Sequence, residues 1–313
     1  MKKNAPTKIA ESNILVESGH RLGEVEQKIV LFAIAKARHS CKTVEDLRDQ
    51  EIIITASEYA EMFDITIEKA YMTLKNAALK IIKRQWIVRY LNERGKMFYE
   101  YHNFLQIAGY CDGEGAIKLV FSNAMLPMLL ELSERFTTFD LNKVAPLQSQ
   151  YAIRFYQFFE QFLGRKKDGW LYLSLEDLRF RFGLEDNEYQ TMSNFKSRVL
   201  DYSINEINEK TDLIVAYEQK KQGRKIVGFR FTFKRKQKIK ILNDKSKYKL
   251  SEKTANYFGA LLGKNEEFGS NAAKVGESSA DFVARLQKEL LDPVKVEKYW
   301  NWLVKVGYKE KTA

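Results

Sequence analysis

An α+β chain with two tandem winged-helix domains and a helical C-terminal extension is what three observations predict. Residues 54–65 align with residues 173–184 at a constant offset of 119. Each block opens on a hydroxyl residue, Thr55 or Ser174, suited to cap a short amphipathic helix. Each block then runs into a turn, a longer amphipathic helix and two strands joined by a basic, Gly-containing hairpin.

Composition narrows the partners. The 313 residues are 45% hydrophobic and 30% charged, enough apolar content for two compact domains and an appendage. A formal charge of +11 and a pI near 9.3 call for a polyanion, most often nucleic acid. A ribosomal or membrane-surface protein would carry the same bulk charge. Cys41 and Cys111 lie far apart in no CxxC pair, so neither a disulfide framework nor a zinc knuckle is expected, which fits a reducing cytoplasm. No apolar stretch follows Met1-Lys2-Lys3-Asn4, and no apolar run reaches the ~18 residues of a membrane span. A cytoplasmic location with no membrane partner is the expectation.

The elements follow in order. Residues 1–12 read as a flexible polar terminus and 13–16 as a short strand or an arm. Val25, Ile29, Phe32 and Ile34 predict a helix over 22–37. A charged loop at 42–50 leads to a strand at 51–54. The first long helix is predicted over 66–83, with Ile67, Ala70, Tyr71, Leu74, Ala78, Ile81 and Ile82 inward and Lys69, Met72, Thr73, Asn76 and Lys80 outward. Strands follow at 86–90 and 96–100 around a turn at 92–95, read as this copy's wing, and another at 116–121. A helix containing Pro127 spans 122–132, an extended segment 136–141, and a strongly aromatic helix 148–162. The second copy begins at Trp170. Its long helix spans 190–210, with Phe195, Val199, Tyr202, Ser203 and Ile207 inward, and its strands are 213–217 and 225–233. Beyond residue 237 come a helix at 251–263, a polar linker at 264–279 and helices broken near Pro293 over 280–308. The predicted domains are therefore 13–145, 146–240 and the extension 241–313.

Two features carry the chemistry. Residues 219–243 hold Lys220, Lys221, Arg224, Lys225, Arg230, Lys234, Arg235, Lys236, Lys238 and Lys240 and no acid, whereas a merely solvated surface mixes its signs. Strand alternation puts Ile226, Gly228, Arg230 and Thr232 on one face and Val227, Phe229, Phe231 and Phe233 on the other, so the hairpin can bury aromatics while its tip, Lys220, Lys221, Arg224 and Lys225, meets phosphates. The outward arc of the second long helix, Asn194, Ser197, Arg198, Asp201 and Asn205, carries donor and acceptor types that read base edges. Arg198 and Asn194 are the leading pair, since Arg forks onto guanine and Asn onto adenine. The Lys69, Thr73, Asn76 and Lys80 face of the first copy suits backbone positioning. An ordinary polar helix face is the plain alternative; the repeat and the basic hairpin tip the balance.

Catalytic signals are weak. His20, His39 and His102 form no HxH metal pair, and no catalytic residue, metal or cofactor is expected. Residues 259–265 look like a phosphate loop one residue short, with Asn265 where a magnesium-binding hydroxyl belongs, and read instead as a glycine-capped helix end.

With Glu24-Val25-Glu26-Gln27-Lys28-Ile29, Phe136-Thr137-Thr138-Phe139-Asp140-Leu141, Leu147-Gln148-Ser149-Gln150-Tyr151-Ala152-Ile153-Arg154-Phe155-Tyr156 and the second wing's Gly-Arg-Lys, the chain resembles the iteron-binding plasmid replication initiators of the two-winged-helix Rep family over about residues 10–235. The resemblance implies a protein that binds direct repeats in double-stranded DNA, helps open an AT-rich origin and brings in the host initiator ATPase and replicative helicase. It also implies a dimer, formed mainly through the first domain, that represses its own promoter. The chain departs from the shared pattern beyond about residue 245. A winged-helix transcriptional repressor and, less well supported, a DNA-nicking replication enzyme are the rival readings.

Overall fold

The computed structural model describes residues 5–130, 135–164, 166–236, 250–274 and 276–308, and the chain divides into two compact units, Met1–Lys236 and Gln237–Ala313. The first unit opens with β1 (Lys8–Ser12), α1 (Asn13–Glu17) and β2 (Gly19–His20). Two expectations are corrected here. Residues 8–12 are not a loose terminus, because they pair antiparallel with residues 136–140. The 13–16 segment is a helical turn, whose cap Ser12 accepts the Ile14 amide at 3.2 Å.

The expected helix is α2 (Glu24–Ser40), held at its start by Glu26, whose carboxylate accepts the Gly23 amide at 2.7 Å. A short helix, α3 (Val44–Leu47), lies in the stretch expected as loop. Then follow β3 (Ile52–Thr55), α4 (Ala56–Phe63), α5 (Ile67–Ile81), β4 (Gln85–Leu91), β5 (Met97–Asn103), β6 (Leu105–Cys111), β7 (Ala116–Phe121), α6 (Met125–Leu130), β8 (Phe136–Asp140) and α7 (Leu141–Val144). Helix α8 (Gln150–Leu163) leads to the second copy. That copy comprises β9 (Asp168–Ser174), α9 (Leu175–Arg181), α10 (Met192–Phe195), a π-helical turn at Lys196–Asp201, α11 (Tyr202–Lys210), β10 (Leu213–Gln222) and β11 (Lys225–Arg235).

The 119-residue repeat survives in the hydrogen bonds. Thr55 accepts the Glu58 amide at 3.2 Å, and Ser174 accepts the Asp177 amide at 3.0 Å, each at the start of the first helix of its copy. The wing sheets keep one order, and the first copy adds a further hairpin. In the second copy the leading strand β9 joins the hairpin in the order β10-β11-β9. In the first copy the leading strand β3 joins the order β3-β7-β6, so the counterpart of the second wing is β6–β7. The β4–β5 hairpin, read from sequence as that wing, is an insertion that pairs with β2 instead. Strand β6 was not expected at all.

The second unit packs α12 (Glu252–Gly263), α13 (Glu266–Ala272), α14 (Ser279–Glu289) and α15 (Pro293–Lys305) around Leu262, Phe268, Phe282, Leu286 and Leu303. The expected linker thus contains α13, and Pro293 starts α15, where its missing N–H costs nothing. The glycine-cap reading is corrected. Lys264 ends α12 in a right-handed conformation, while a Cβ on Gly259 would lie 2.7 Å from Gln287 Cγ and one on Gly263 2.4 Å from Val283 Cγ2. These glycines let α12 and α14 approach closely.

In the first unit one continuous apolar core surrounds α8, whose Phe155, Tyr156, Phe158 and Phe159 are fully buried. Phe162, expected with them, is 40% exposed. Phe155 meets Phe182 edge-on at 4.9 Å and Phe231 at 5.2 Å, while Phe159 lies 4.8 Å from Phe233. The opposite side of α8 holds the first copy by polar contacts. Arg154 donates to Val16 O at 2.9 Å and Ser18 O at 2.8 Å, and Gln157 donates to Glu11 at 2.6 Å.

Replacing Phe155 with Ala should cost about 3–5 kcal/mol, measured by denaturant unfolding. Burial pushes the Glu11 carboxyl from 4.5 up to about 7, against the opposing pull of Arg154 and the Gln157 hydrogen bond. A raised folded-state pKa means the folded chain keeps a proton that the unfolded chain has lost. Stability should therefore fall as pH rises from about 4.5, with the loss complete above about 7. Unfolding of Glu11→Gln at about pH 5 and pH 8 should show a smaller difference than the parent chain.

Candidate nucleic-acid interface

In the second copy Thr191 caps the reading helix by accepting the Asn194 amide at 3.3 Å. The five predicted residues, Asn194, Ser197, Arg198, Asp201 and Asn205, are all exposed. Asp201 is engaged at its carboxylate, which accepts the Tyr217 hydroxyl of β10 at 2.5 Å. That bond fixes wing to helix, and burial with the Asp201 contact pushes the Tyr217 hydroxyl pKa up. Asn194, Ser197 and Arg198 have no side-chain partner among the described residues.

The π turn at Lys196–Asp201 corrects the inward arc. Its wider i→i+5 turn brings Val199 and Leu200 both into the core and swings Tyr202 to 54% exposed. Tyr202 therefore sits beside the predicted reading residues, a position that a uniform 100° wheel could not give. Ser203, Ile204, Glu206 and Ile207 are the buried set below it.

The wing is longer than predicted. β10 and β11 pair from Leu213↔Arg235 to Gln222↔Lys225, leaving a two-residue turn with Gly223 at φ +60°. Lys220 and Lys221 lie on the strand, flanking a bulge, and not in the turn. Phe229, Phe231 and Phe233 are buried and Arg230, Thr232 and Lys234 exposed, as alternation required. Lys221, Arg224 and Lys225 make no ion pair among the described residues, whereas Lys220 lies 3.4 Å from Glu218.

Three members of the basic run are engaged elsewhere. Arg235 grips Glu160 at 2.7 Å and Asp212 at 3.3 Å, and Lys236 donates to the Asn208 and Thr211 carbonyls at 2.5 and 2.6 Å. The Arg230 guanidinium lies 4.7 Å from the Trp170 ring centre. Lys238 and Lys240 fall outside the described residues.

In the first copy Lys69, Asn76 and Lys80 are exposed and Thr73 half-buried on α5. Thr73, Asn76 and Lys80 share an open groove of about 390 Å³ with Glu24, Glu26 and Arg84. Arg84 already holds Glu26 at 2.9 Å. The inward arc needs correction, since Ile67 and Tyr71 are 43% and 37% exposed while Ala77 is buried. The true wing tip, Asp112 to Gly115, carries Asp112 and Glu114, and Lys75 of α5 is spent on Asp112 at 2.7 Å. The two copies thus offer unlike surfaces, one with a basic wing and one with an acidic tip.

Among the described residues no group of three or more His, Cys, Asp or Glu is placed to hold a metal ion, and no helix is long and apolar enough to cross a membrane. A tandem winged-helix protein with a solvent-facing reading helix and a basic wing is a DNA-binding class of architecture.

The comparisons give that class its family. Residues 8–160 match the initiator replication protein WH1 domain and residues 174–233 the initiator Rep protein WH2 domain, so the chain belongs to the winged-helix replication initiator family of plasmids. A replication initiation protein of Escherichia coli is 26% identical over 186 residues, covering 58% of this chain and 56% of that one. An uncharacterized 27.6 kDa protein of Escherichia coli is 24% identical over 227 residues, 71% of this chain and 93% of its own. Among solved structures, the Pi initiator protein in complex with iteron DNA matches with a TM-score of 0.59 and 25% identity, over 75% of this chain and 99% of that one.

Proposed function

We propose that this chain starts plasmid replication by binding direct repeats in double-stranded origin DNA, and that it does so without catalysing a covalent step. One observation carries the reading: Asn194, Ser197 and Arg198 stand free on the reading helix of the second copy, which the Tyr217–Asp201 bond ties to a wing whose Lys221, Arg224 and Lys225 are unpaired among the described residues. Asn194 and Arg198 discriminate bases, with Ser197 and Asn205 on the same exposed arc. Asp201, which already accepts the Tyr217 hydroxyl, keeps the helix and wing in register. Lys69, Thr73, Asn76 and Lys80 position the first copy on the phosphate backbone of the same duplex, with Thr73 the least accessible of the four. The similar Pi protein was captured on iteron DNA, which supports repeats as the target class.

On this reading the bound protein helps melt an adjacent AT-rich stretch and recruits the host initiator ATPase and helicase. It also dimerises and represses its own gene. The first domain, residues 13–145, carries dimerisation and backbone contacts, and residues 146–240 carry sequence readout. The inserted β4–β5 hairpin is the surface best suited to self-association. Its outer end exposes Tyr90, Leu91, Met97 and Phe98, Tyr101 is 62% exposed, and β5 is a sheet edge unpaired among the described residues.

Arg198→Ala should cost about 1–3 kcal/mol on repeat DNA with little change on random DNA, read by fluorescence anisotropy. Equal losses on both would remove the readout role. Gln in place of Lys221 and Lys225 should weaken binding to every sequence and lower the slope of log K against log salt by about 1 per lost contact. Phe98→Glu should shift the chain toward monomer in sedimentation equilibrium while leaving single-repeat binding within about twofold.

A further inference from the structure

The seam between the two copies holds an unusual concentration of charge. Arg89 of β4 reaches Glu176 at 2.8 Å and also pairs with Asp177, both in the first turn of α9, and its guanidinium lies 4.3 Å from the Phe180 ring centre. Arg21, just past β2, pairs with Glu188 at 2.7 Å and Glu185 at 3.4 Å. Arg181 of α9 faces back toward Glu17 of α1 at 3.9 Å. Exposed pairs taken singly contribute little. Here Arg89 is only 17% exposed, contacts two carboxylates and is stacked, the arrangement in which such contacts become directional.

Two glycines bring the backbones together behind these charges. A Cβ on Gly19 would sit 2.7 Å from Phe180 O, and one on Gly183 3.0 Å from both the Arg21 Cβ and the His20 carbonyl carbon. The segments 19–21 and 180–183 therefore touch backbone to backbone. Above them an open cleft of about 210 Å³ remains between Ile14, Ile87 and Phe180. At these segments the copies meet by charge and close backbone approach, beside the apolar core they share around α8.

We propose that this latch, with Arg21 and Arg89 as positioning residues, fixes the separation of the two DNA-reading helices and so sets the spacing of the two halves of the DNA site. The inference rests on the proposed binding of both copies to one duplex. Helix α9 directly precedes the reading helix of its copy, and β4 directly follows α5, so each end of the latch is anchored next to a reading element. Preorganised separation lets a correctly spaced site be bound without a further ordering cost, while a site with altered spacing must break the latch.

The test uses the full chain with Cys111→Ser, since Cys41 is buried. Spin labels at Leu79→Cys on α5 and Tyr202→Cys on α11 report the separation in the absence of DNA. Arg21→Ala with Arg89→Ala should broaden the distance distribution at least about twofold, and Arg21→Lys with Arg89→Lys should keep it narrow. In a second arm, unlabelled protein is titrated onto repeats in which one or two base pairs are inserted between the halves. The parent should lose about tenfold or more in affinity, and the double Ala variant less than about threefold. Equal distance widths in parent and double Ala variant, or equal spacing penalties, would overturn the latch. A parent chain that ignores repeats altogether would overturn the proposed function and with it the spacing role, while the label distances would still show whether the seam is held.

Discussion

A helix buried around its whole circumference dictates where its neighbours go, and α8 is that helix here. On one side its phenylalanines interlock with Phe182, Phe231 and Phe233 of the second copy. On the other, Arg154 satisfies the carbonyls of Val16 and Ser18, which would otherwise be short of donors where the chain leaves α1. Arg154 is fully buried, and desolvation lowers its pKa to about 9 while the Glu11 charge works against that. Its cation also lies 4.9 Å from the Phe158 ring centre, with Arg181 of α9 at 5.3 Å from the same ring. One aromatic ring of α8 is thus approached by guanidinium groups from the linking helix and from the second copy.

Around that axle the two copies share a common frame. Both copies keep the leading strand in the wing sheet, paired with the second strand of the hairpin. The first copy has taken in the β4–β5 hairpin, and β2 has been recruited to pair with it. The basic turn with Arg94 and Lys96 therefore lies in the β4–β5 hairpin, and the wing tip carries Asp112 and Glu114. The first copy exposes Lys69 and Lys80 on α5, but its wing tip carries these two acids where the second wing carries Arg224 and Lys225.

Much of this was legible because its causes are local. The caps Thr55 and Ser174, the alternation along β11 and the aromatic density of α8 each follow from residue type and spacing. What escaped notice depended on contacts remote in sequence. Lys8–Ser12 reads as polar and loose until its partner strand, more than a hundred residues away, is in place. The identity of the first wing depends on which hairpin pairs with β3, and of the two hairpins only β4–β5 is legible in the sequence. The π turn was hidden because one extra residue per turn shifts the phase of the wheel; only the paired burial of Val199 and Leu200 reveals it.

Charge counted along the sequence overstates the free cationic surface for the same reason. The basic run beyond Gln219 looked uniform, yet its members do different work. Arg235 and Lys236 close the base of the β10–β11 hairpin onto Glu160, Asp212 and the end of α11, so removing them would loosen the fold before it touched any ligand. Lys221, Arg224 and Lys225 at the outer end have no such duty among the described residues. The second unit carries the argument further. Residues 250–308, which form its helices, hold eight Lys or Arg and eight Asp or Glu, so the described part of this unit adds nothing to the net +11. On the proposed function, the cations available to a duplex are those left unpaired near the long helices of the two copies, and their placement, not the total, determines how many counterions binding can release.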